Sequence, residues 1–157
     1  MRVGLGYDSH RFADAGNRTL ILGGVAIPHA RGLTGHSDAD AVAHALTDAL
    51  LGAAGLGDIG QLFPDTDAHW KDANSLELLG EAYRQVTAAG HRFAHADITV
   101  IAERPTIGPY VPQMKARLAD ALHAAPTAIS VKGKTNEGMG WVGQGEGIAV
   151  IAVALLE

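Results

Sequence analysis

Apolar positions recur with two different periods along the chain, and these periods predict where strands and helices lie. Short segments rich in apolar residues, some of them alternating with polar ones, predict strands at residues 2–7, 20–28, 93–102, 129–132 and 148–156. Gly23 and Gly24 interrupt the second segment, which predicts a tight turn between two short strands. The last segment is almost wholly apolar, which predicts that both of its faces are buried.

Three other segments carry apolar residues every three to four positions, as in helices with one buried face. The first helix is predicted to begin after Asp38 as N-cap and to end at Gly55. Asn74 predicts the start of the second helix and Gly90 its end, while Pro109 predicts the start of the third. The predicted buried faces are Val42, Leu46, Ala49, Leu50 and Ala53; then Leu76, Leu79, Tyr83 and Val86; then Val111, Met114, Leu118, Ala121 and Leu122.

The order of these elements predicts the fold class. Strands, two helices, a strand, a helix and two strands favour an α+β two-layer sandwich, a mostly β sheet covered on one face by helices. The chain has 157 residues and no linker-like stretch, so a single domain over residues 1–157 is predicted. The uncovered sheet face and the apolar last strand predict an oligomer whose sheets face inwards.

Composition and charge exclude several classes of protein. Hydrophobic residues make up 47% of the chain, too many for a disordered protein, and no apolar run approaches the roughly 18 residues of a membrane span. The formal net charge of −5 argues against a general nucleic-acid binder. The first residues lack a signal-peptide pattern, so a cytoplasmic location is expected.

Cysteine is absent, whereas the chain has eight histidines, so a bound metal would have imidazole and carboxylate ligands of the kind that suits zinc. Asp8 and His10 would project from the same face of the first strand, with backbones roughly 7 Å apart. His44 would lie on the polar face of the first helix, with Asp40 and Asp48 one turn to either side. Asp48 could orient His44, and Asp8, His10 and His44 would then form a three-ligand site with an open position. A strand-end turn and a solvated helix face explain the same residues, so spacing alone leaves both interpretations open.

Two other segments carry candidate chemistry. Asp58, Asp65 and Asp67 lie within ten residues of one another and fit either a turn or a loop that holds a polyhydroxyl substrate. Lys134 and Thr135 lie in a glycine-rich segment that fits either a phosphate cradle or a mobile hairpin. That segment lacks the spacing of a P-loop.

Four stretches together resemble the family of 2-C-methyl-D-erythritol 2,4-cyclodiphosphate synthases, and the resemblance covers the chain from end to end. They are GYDSHRF, HSDADAVAHALTDALLGAAGLGDIGQLFPDTD, PYVPQM and KGKTNEGMGWVGQGEGIAVIAVALL. The resemblance implies a homotrimer of two-layer subunits around a central cavity, with active sites between neighbouring subunits. It implies that the 2-phosphate of 4-diphosphocytidyl-2-C-methyl-D-erythritol 2-phosphate attacks the β-phosphate, which closes the cyclic diphosphate and releases CMP.

The resemblance also implies roles for particular residues. It implies zinc, or a similar divalent ion, at Asp8, His10 and His44, and a second divalent ion, magnesium or manganese, at Glu137. His36 and Ser37 match phosphate contacts. The implied methylerythritol pocket is Asp58, Ile59, Gly60, Phe63, Pro64, Asp65, Thr66 and Asp67. The implied cytidine and diphosphate segments are Ala102, Glu103, Arg104, Pro105, Thr106, Ile107, Gly108, Lys134, Thr135, Asn136, Glu137, Trp141 and Gln144, part of them from the neighbouring subunit.

The sequence departs from the family pattern at a few positions. Gln144 replaces an arginine that, with an acid like Glu146, is linked in relatives to isoprenoid diphosphate binding in the central cavity; an uncharged amide offers no ion pair there. Thr106, Ile107 and Trp141 are expected to tune affinity rather than change the reaction. Two other functions fit the same ligands: a zinc-dependent phosphoester hydrolase and a non-catalytic trimeric ligand-binding protein.

Overall fold

The helices and strands come from a computed structural model, which describes all residues, 1–157. The strands are β1 (Arg2–Arg11), β2 (Leu20–Leu22), β3 (Val25–Ile27), β4 (Phe93–Ile101), β5 (Ile129–Lys134) and β6 (Gly147–Leu156). The helices are α1 (Ala41–Ala54), α2 (Ile59–Leu62), α3 (Ser75–Ala88), α4 (Val111–Ala121) and α5 (Gly140–Gly143), with short 3-10 helices at Ala68–Trp70, Gly108–Tyr110 and Pro126–Ala128. None of these helices has the length and hydrophobicity needed to cross a bilayer.

A four-stranded sheet in the order β1-β6-β4-β5 is the centre of the fold, and β2 and β3 form a separate hairpin. Strand β6 is antiparallel to both of its neighbours, whereas β4 and β5 are parallel. Asp8 is paired with Val150, which is paired in turn with Val100 on β4. Asp8 on β1 and Val100 on β4 therefore lie at the same end of the sheet, with β6 between the two strands.

Helices cover one face of this sheet, which confirms the mixed α+β fold. The residues of β6 that face the helices are buried, but Ile151 and Val153 on the other face are 38% and 40% exposed. The prediction that both faces of the last strand are buried is therefore wrong for a single chain. Val3, Leu5 and Tyr7 of β1 extend this apolar outer face, defined by these five residues.

The start of α1 differs from the predicted one. Asp40, not Asp38, is the N-cap, and its carboxylate accepts bonds from the N–H groups of Val42 and Ala43. The same carboxylate accepts the N–H groups of Gly23 and Gly24 in the β2–β3 turn, so Asp40 is fully buried. The prediction that Asp40 belongs to the polar face of α1 is wrong, because the β2–β3 turn packs onto this end of the helix and buries Asp40.

The other elements follow the predicted pattern with shifted ends. Asn74 caps α3 by accepting the N–H of Leu76 at 2.9 Å. Gly55 ends α1 with a φ of 75°, as predicted. Pro109 lies in a 3-10 turn that leads into α4. The buried residues of α3 are Ser75, Leu78, Leu79, Ala82 and Val86, and those of α4 are Met114, Leu118 and Ala119.

Helix α1 packs against β1 at two glycines, closer than any side chain would allow. A Cβ on Gly4 would lie 1.9 Å from the carbonyl oxygen of Ala49, and one on Gly6 would lie 1.8 Å from that of Ala45. The helix backbone therefore rests directly on the strand backbone. This contact brings His44, the residue before Ala45, to the end of β1 that carries Asp8 and His10.

Replacing Gly6 by alanine is expected to lower the free energy of unfolding by roughly 1–3 kcal/mol, because the added methyl overlaps backbone and forces α1 outwards. Gly52→Ala on the same helix is the matched control. Gly52 is exposed, and a Cβ added to it would meet nothing within 4 Å, so alanine there should stabilise by up to about 1 kcal/mol. Urea unfolding measures both; equal stability of the two variants would contradict the close contact.

Candidate metal centre and active site

Asp8, His10 and His44 form a compact cluster of possible metal ligands. The Nε2 atom of His10 lies 2.9 Å from Oδ2 of Asp8, and Nδ1 of His44 lies 3.1 Å from the same oxygen. The two imidazole nitrogens are 3.3 Å apart. Three donor atoms thus converge on one point from two elements, a strand and a helix.

The second nitrogen of each histidine has its own partner. Nδ1 of His10 lies 2.7 Å from the carbonyl oxygen of Thr34 and donates its proton there, so Nε2 is the nitrogen that faces the cluster. Nε2 of His44 lies 2.8 Å from Oγ of Ser75. Imidazoles whose far nitrogen is bonded in this way are oriented for metal binding. The cluster therefore fits a zinc ion with two nitrogen ligands, one oxygen ligand and an open position.

The three side chains also shift one another's protonation. Burial acts to raise the pKa of Asp8, but the hydrogen bonds to His10 and His44 outweigh it and lower that pKa below 3.8. Burial acts to lower the pKa of His10, and the hydrogen bond and charge of Asp8 instead raise it above 6.5. Without a metal, the site therefore favours an ionised Asp8 beside a proton on His10.

A cavity of about 270 Å³ opens over this cluster. Its lining includes six of the residues implied by the family resemblance: His36, Ser37, Ile59, Gly60, Phe63 and Asp65. The sequence reasoning missed Gly35, Trp70 and Leu78, which also line it. Trp70 packs edge-on against Phe63, with ring centroids 4.8 Å apart, and forms one wall. Hydrophobic size is the only sequence signal that Trp70 carried.

Several implied pocket residues do not line the cavity. Asp58 caps α2 by accepting the N–H of Gln61 at 2.9 Å, and Asp67 caps the following 3-10 helix by accepting the N–H of His69 at 2.9 Å. Pro64 and Thr66 are exposed in the turn between them. The carboxylates here support the loop that carries Phe63 and Asp65.

Asp48 makes no hydrogen bond to His44. Its carboxylate accepts the N–H of Ile59 at 2.8 Å and so holds α2 against α1. Ser75, from a distant part of the chain, bonds His44 in its place. Asp48 thus helps to position Ile59 in the cavity wall. The spacing had predicted instead that Asp48 would orient His44.

Arg18 is another residue that sequence reasoning missed. Its guanidinium donates to the carbonyl oxygen of Gly35 at 2.8 Å and also to that of Ser37. These two bonds hold the backbone on both sides of His36. A lone arginine seventeen residues upstream gave no local signal of this contact.

A second cavity, of about 410 Å³, lies beyond the end of β4 and β5. It is lined by Ala102, Glu103, Arg104, Pro105, Thr106, Ile107, Gly108, Lys134 and Thr135, together with Val100 and Gly133, which were not predicted. Oε1 of Glu103 accepts the N–H groups of Asn136 and Gly138, so it fixes the loop that carries Glu137. Glu137 itself is exposed and has a φ of 53°.

The two cavities are separate within one chain. His10 is paired with Ile148 on β6, and Ile101 at the end of β4 is paired with the adjacent Ala149. Two strand spacings, about 10 Å, therefore separate the cluster's strand from that of the second cavity. A substrate bound in one cavity would not reach the other within the same chain unless it spanned that width.

Comparison with known proteins adds to this geometry. The model of the YgbB family matches residues 1–157. The chain belongs to the YgbB family. A relative from Listeria monocytogenes, named 2-C-methyl-D-erythritol 2,4-cyclodiphosphate synthase, is 54% identical over 157 residues, which are 100% of this chain and 99% of that protein.

Two further similarities cover nearly the whole of this YgbB-family chain. A relative of the same name from Symbiobacterium thermophilum is 56% identical over 156 residues, 99% of this chain and 98% of that protein. A solved structure of 2C-methyl-D-erythritol-2,4-cyclodiphosphate synthase in a CDP-bound form has a TM-score of 0.90 and 41% identity, and the match covers 99% of this chain and 100% of that one.

Trp141 and Gln144, both implied by the resemblance, also lie outside the two cavities of this YgbB-family chain. Trp141 lines a third cavity, of about 370 Å³, with Ser9, His10, Arg11 and Glu146. Gln144 is the C-cap of α5 and is not among the residues that line it. The third cavity is therefore lined by an arginine, a glutamate and an indole at the end of the sheet.

Zinc affinity is expected to fall as the pH is lowered, because zinc must displace the proton of His10. Asp8 holds the pKa of His10 above 6.5, so the loss begins at a higher pH than for an ordinary imidazole. Calorimetry in buffers of different ionisation enthalpy measures the protons released per zinc bound. An affinity that stays constant between about pH 6 and about pH 8 would contradict the assignment of His10 as a ligand.

Proposed function

We propose that this protein converts 4-diphosphocytidyl-2-C-methyl-D-erythritol 2-phosphate to 2-C-methyl-D-erythritol 2,4-cyclodiphosphate and CMP. The observation that carries the proposal is the cluster of Asp8, His10 and His44 at the floor of a cavity. That cluster lies in a chain matched over its full length by relatives named for this product. The activity is that of a phosphorus–oxygen lyase in isoprenoid biosynthesis.

Asp8, His10 and His44 would hold zinc through Oδ2, Nε2 and Nδ1. The fit rests on the convergence of these atoms and on the outer partners Thr34 and Ser75, which accept the protons of the outer nitrogens and so leave the inner nitrogens to bind zinc. Zinc bound there supplies positive charge that neutralises a substrate phosphate oxygen. The other contacts to the substrate would come from the protein's own side chains.

His36 and Ser37 provide hydrogen-bond donors at the same cavity. The side chain of His36 is 30% exposed at the rim, and Ser37 is 7% exposed deeper inside. Arg18 fixes the backbone on either side, so both donors are held before substrate binds. Donors arranged in advance around phosphate oxygens stabilise charge as it develops in the transition state.

The reaction needs no protein nucleophile. An oxygen of the 2-phosphate forms a bond to the β-phosphorus, the bond from that phosphorus to the CMP oxygen breaks, and CMP leaves with the electron pair. Both reacting groups belong to one molecule, so the protein's contribution is to hold them in line and to neutralise their charge. Phe63 and Trp70 enclose the cavity wall where the methylerythritol part would lie.

The second cavity is the proposed site of the cytidine diphosphate part. Its wall is the loop of residues 102–108, and Lys134 and Thr135 at its edge offer an ammonium and a hydroxyl to phosphate. Glu137 would hold a magnesium or manganese ion with diphosphate oxygens as the other ligands, since hard cations prefer oxygen. The CDP-bound relative supports a nucleotide site in a protein of this fold.

A homotrimer with shared sites would bring the two cavities together. Val3 and Leu5 are each 68% exposed on the apolar outer face, and a contiguous apolar surface of this kind marks a protein interface. In such a trimer one subunit would supply the metal ligands and its neighbour the cytidine loop, so a substrate would not need to cross β6 within one chain. Burial of the outer face around a central cavity would explain why β6 is apolar throughout.

Phosphorus NMR tests the proposed reaction. The metal-free protein is incubated with the diphosphocytidyl substrate, with and without added zinc and magnesium. We expect signals of a cyclic diphosphate and of CMP only when metal is present. An opened phosphate product would indicate a zinc-dependent hydrolase instead, and the absence of turnover with metal present would indicate a ligand-binding protein.

Glu137→Gln is expected to slow turnover by at least tenfold while zinc content stays unchanged, because the amide lacks the charge that attracts the second ion. High magnesium or manganese should restore part of the rate. Glu77→Gln, an exposed acid on α3, is the control and should retain full activity. Loss of zinc along with activity would show that Glu137 belongs to the first metal site.

Mixing two inactive variants tests the shared site. His44→Ala removes a zinc ligand, and Thr106→Trp fills part of the second cavity from an exposed position. Each variant alone should be inactive, whereas randomly mixed trimers should recover about a quarter of the sites, since each site pairs one chain with its neighbour. Mixed trimers verified by mass spectrometry but still inactive would mean that each site lies within one chain.

A further inference from the structure

We propose that Ser75 and Asp38 are positioning residues, which hold a proton on Nε2 of His44 and so fix the ring with Nδ1 directed at Asp8 and His10. The inference rests on the proposed zinc site, but its main observable, the proton on Nε2 of His44, can be measured without any metal. The start of α3, which carries Ser75, thereby contributes to the metal centre although it is far from His44 in the sequence.

The two nitrogens of His44 point to different partners. Nδ1 lies 3.1 Å from Oδ2 of Asp8, and Nε2 lies 2.8 Å from Oγ of Ser75. The Ser75 hydroxyl also makes a short hydrogen bond to Oδ1 of Asp38. His44, Ser75 and Asp38 thus form a chain of three groups that begins at the metal cluster and ends at a carboxylate.

The direction of the hydrogen bonds in this chain follows from its last member. A carboxylate only accepts, so the single proton of the Ser75 hydroxyl is donated to Asp38. Oγ of Ser75 can then only accept from His44, which places the imidazole proton on Nε2. Nδ1, the other ring nitrogen, faces Asp8 and His10 and is the atom left to bind a metal once any proton it shares with Asp8 is displaced.

Ser37 also approaches His44 but has a different role. Its Oγ lies 3.1 Å from Nε2 and accepts the N–H of Ala39 at 3.2 Å. Ser37 lines the cavity, whereas Ser75 is fully buried and does not. Ser37 is therefore available to a substrate phosphate, and Ser75 remains the partner that no substrate can displace.

Asp38 is held in place by backbone bonds as well. Its Oδ2 accepts the N–H of Ser75 at 3.1 Å, and its own N–H donates to the carbonyl oxygen of Ala73 at 3.3 Å. These bonds join the segment before α1 to the segment before α3. The position of Oδ1 is thereby fixed before zinc or substrate arrives.

The two histidines of the cluster are thus oriented by different means. His10 donates to the backbone carbonyl of Thr34, a partner that no side-chain substitution removes. His44 depends on the side chains of Ser75 and Asp38. A substitution at Ser75 should therefore affect one ligand of the cluster and leave the other in place.

The test compares Ser75→Ala with Asn74→Ala. Ser75→Ala removes only the hydroxyl and keeps the N–H bond to Asp38. We expect zinc affinity, measured against a competing chelator, to fall by about 10- to 100-fold. In the metal-free protein, the ¹⁵N chemical shift of Nε2 of His44 should move from that of a protonated nitrogen towards that of an unprotonated one. Asn74→Ala removes the cap of the same helix without contacting His44; it should lower the melting temperature but leave zinc affinity and the Nε2 shift unchanged.

Three results would overturn the proposal: an unchanged Nε2 shift of His44 in folded Ser75→Ala, unchanged zinc affinity in that variant, or an equal loss of affinity in Asn74→Ala. If Ser75→Ala does not fold, Asp38→Asn replaces it. An amide accepts and donates, so the direction of the hydrogen bonds is no longer forced and Nε2 should again lose part of its proton. A protein that keeps the proton on Nε2 yet binds no zinc would contradict the proposed metal site and leave the positioning role of Ser75 and Asp38 supported.

Discussion

The contact between the backbones of α1 and β1 determines where the functional groups lie. Gly4 and Gly6 allow the carbonyl oxygens of Ala49 and Ala45 to approach where a Cβ would otherwise be. His44 lies immediately before Ala45 on the helix, and Asp8 lies two residues beyond Gly6 on the strand. A helix held one side chain farther away would separate the imidazole of His44 from Asp8 and His10 and would leave no three-ligand cluster.

Near that contact, two carboxylates each bind groups from two different segments of the chain. Asp40 caps α1 and also holds the β2–β3 turn, and Asp38 holds Ser75 by its hydroxyl and its N–H. Each carboxylate satisfies buried donors and connects two segments that are far apart in sequence. The orientation of the His44 ring follows from the bonds of Asp38 and Ser75, and the backbone around His36 is held by Arg18, rather than by helix or sheet structure.

Much of this architecture could be predicted from the periods of the sequence, and the failures have a common cause. Strands and helices were located because their apolar faces repeat every two or every 3.6 residues, and Asp8 and His10 were paired because they share a strand face. The two acids of HSDAD are equally suited to cap a helix, and only the distant amides of Gly23 and Gly24 select Asp40. Likewise the spacing of Asp48 favours a bond to His44, but Ile59 competes for it and Ser75 occupies the place. Contacts between segments distant in sequence produce no periodic pattern of residues, so the sequence alone does not predict them.

The central claim is that metal ligands from one chain and a nucleotide cavity from its neighbour form one site. A crystal structure of the protein soaked with zinc and CDP, with diffraction measured at the zinc absorption edge, tests it most directly. We expect an anomalous peak between Asp8, His10 and His44, and a CDP molecule whose cytidine lies against residues 102–108 of the adjacent subunit while its diphosphate points at that peak. A nucleotide held by the same chain as the zinc, or zinc bound elsewhere, would contradict it.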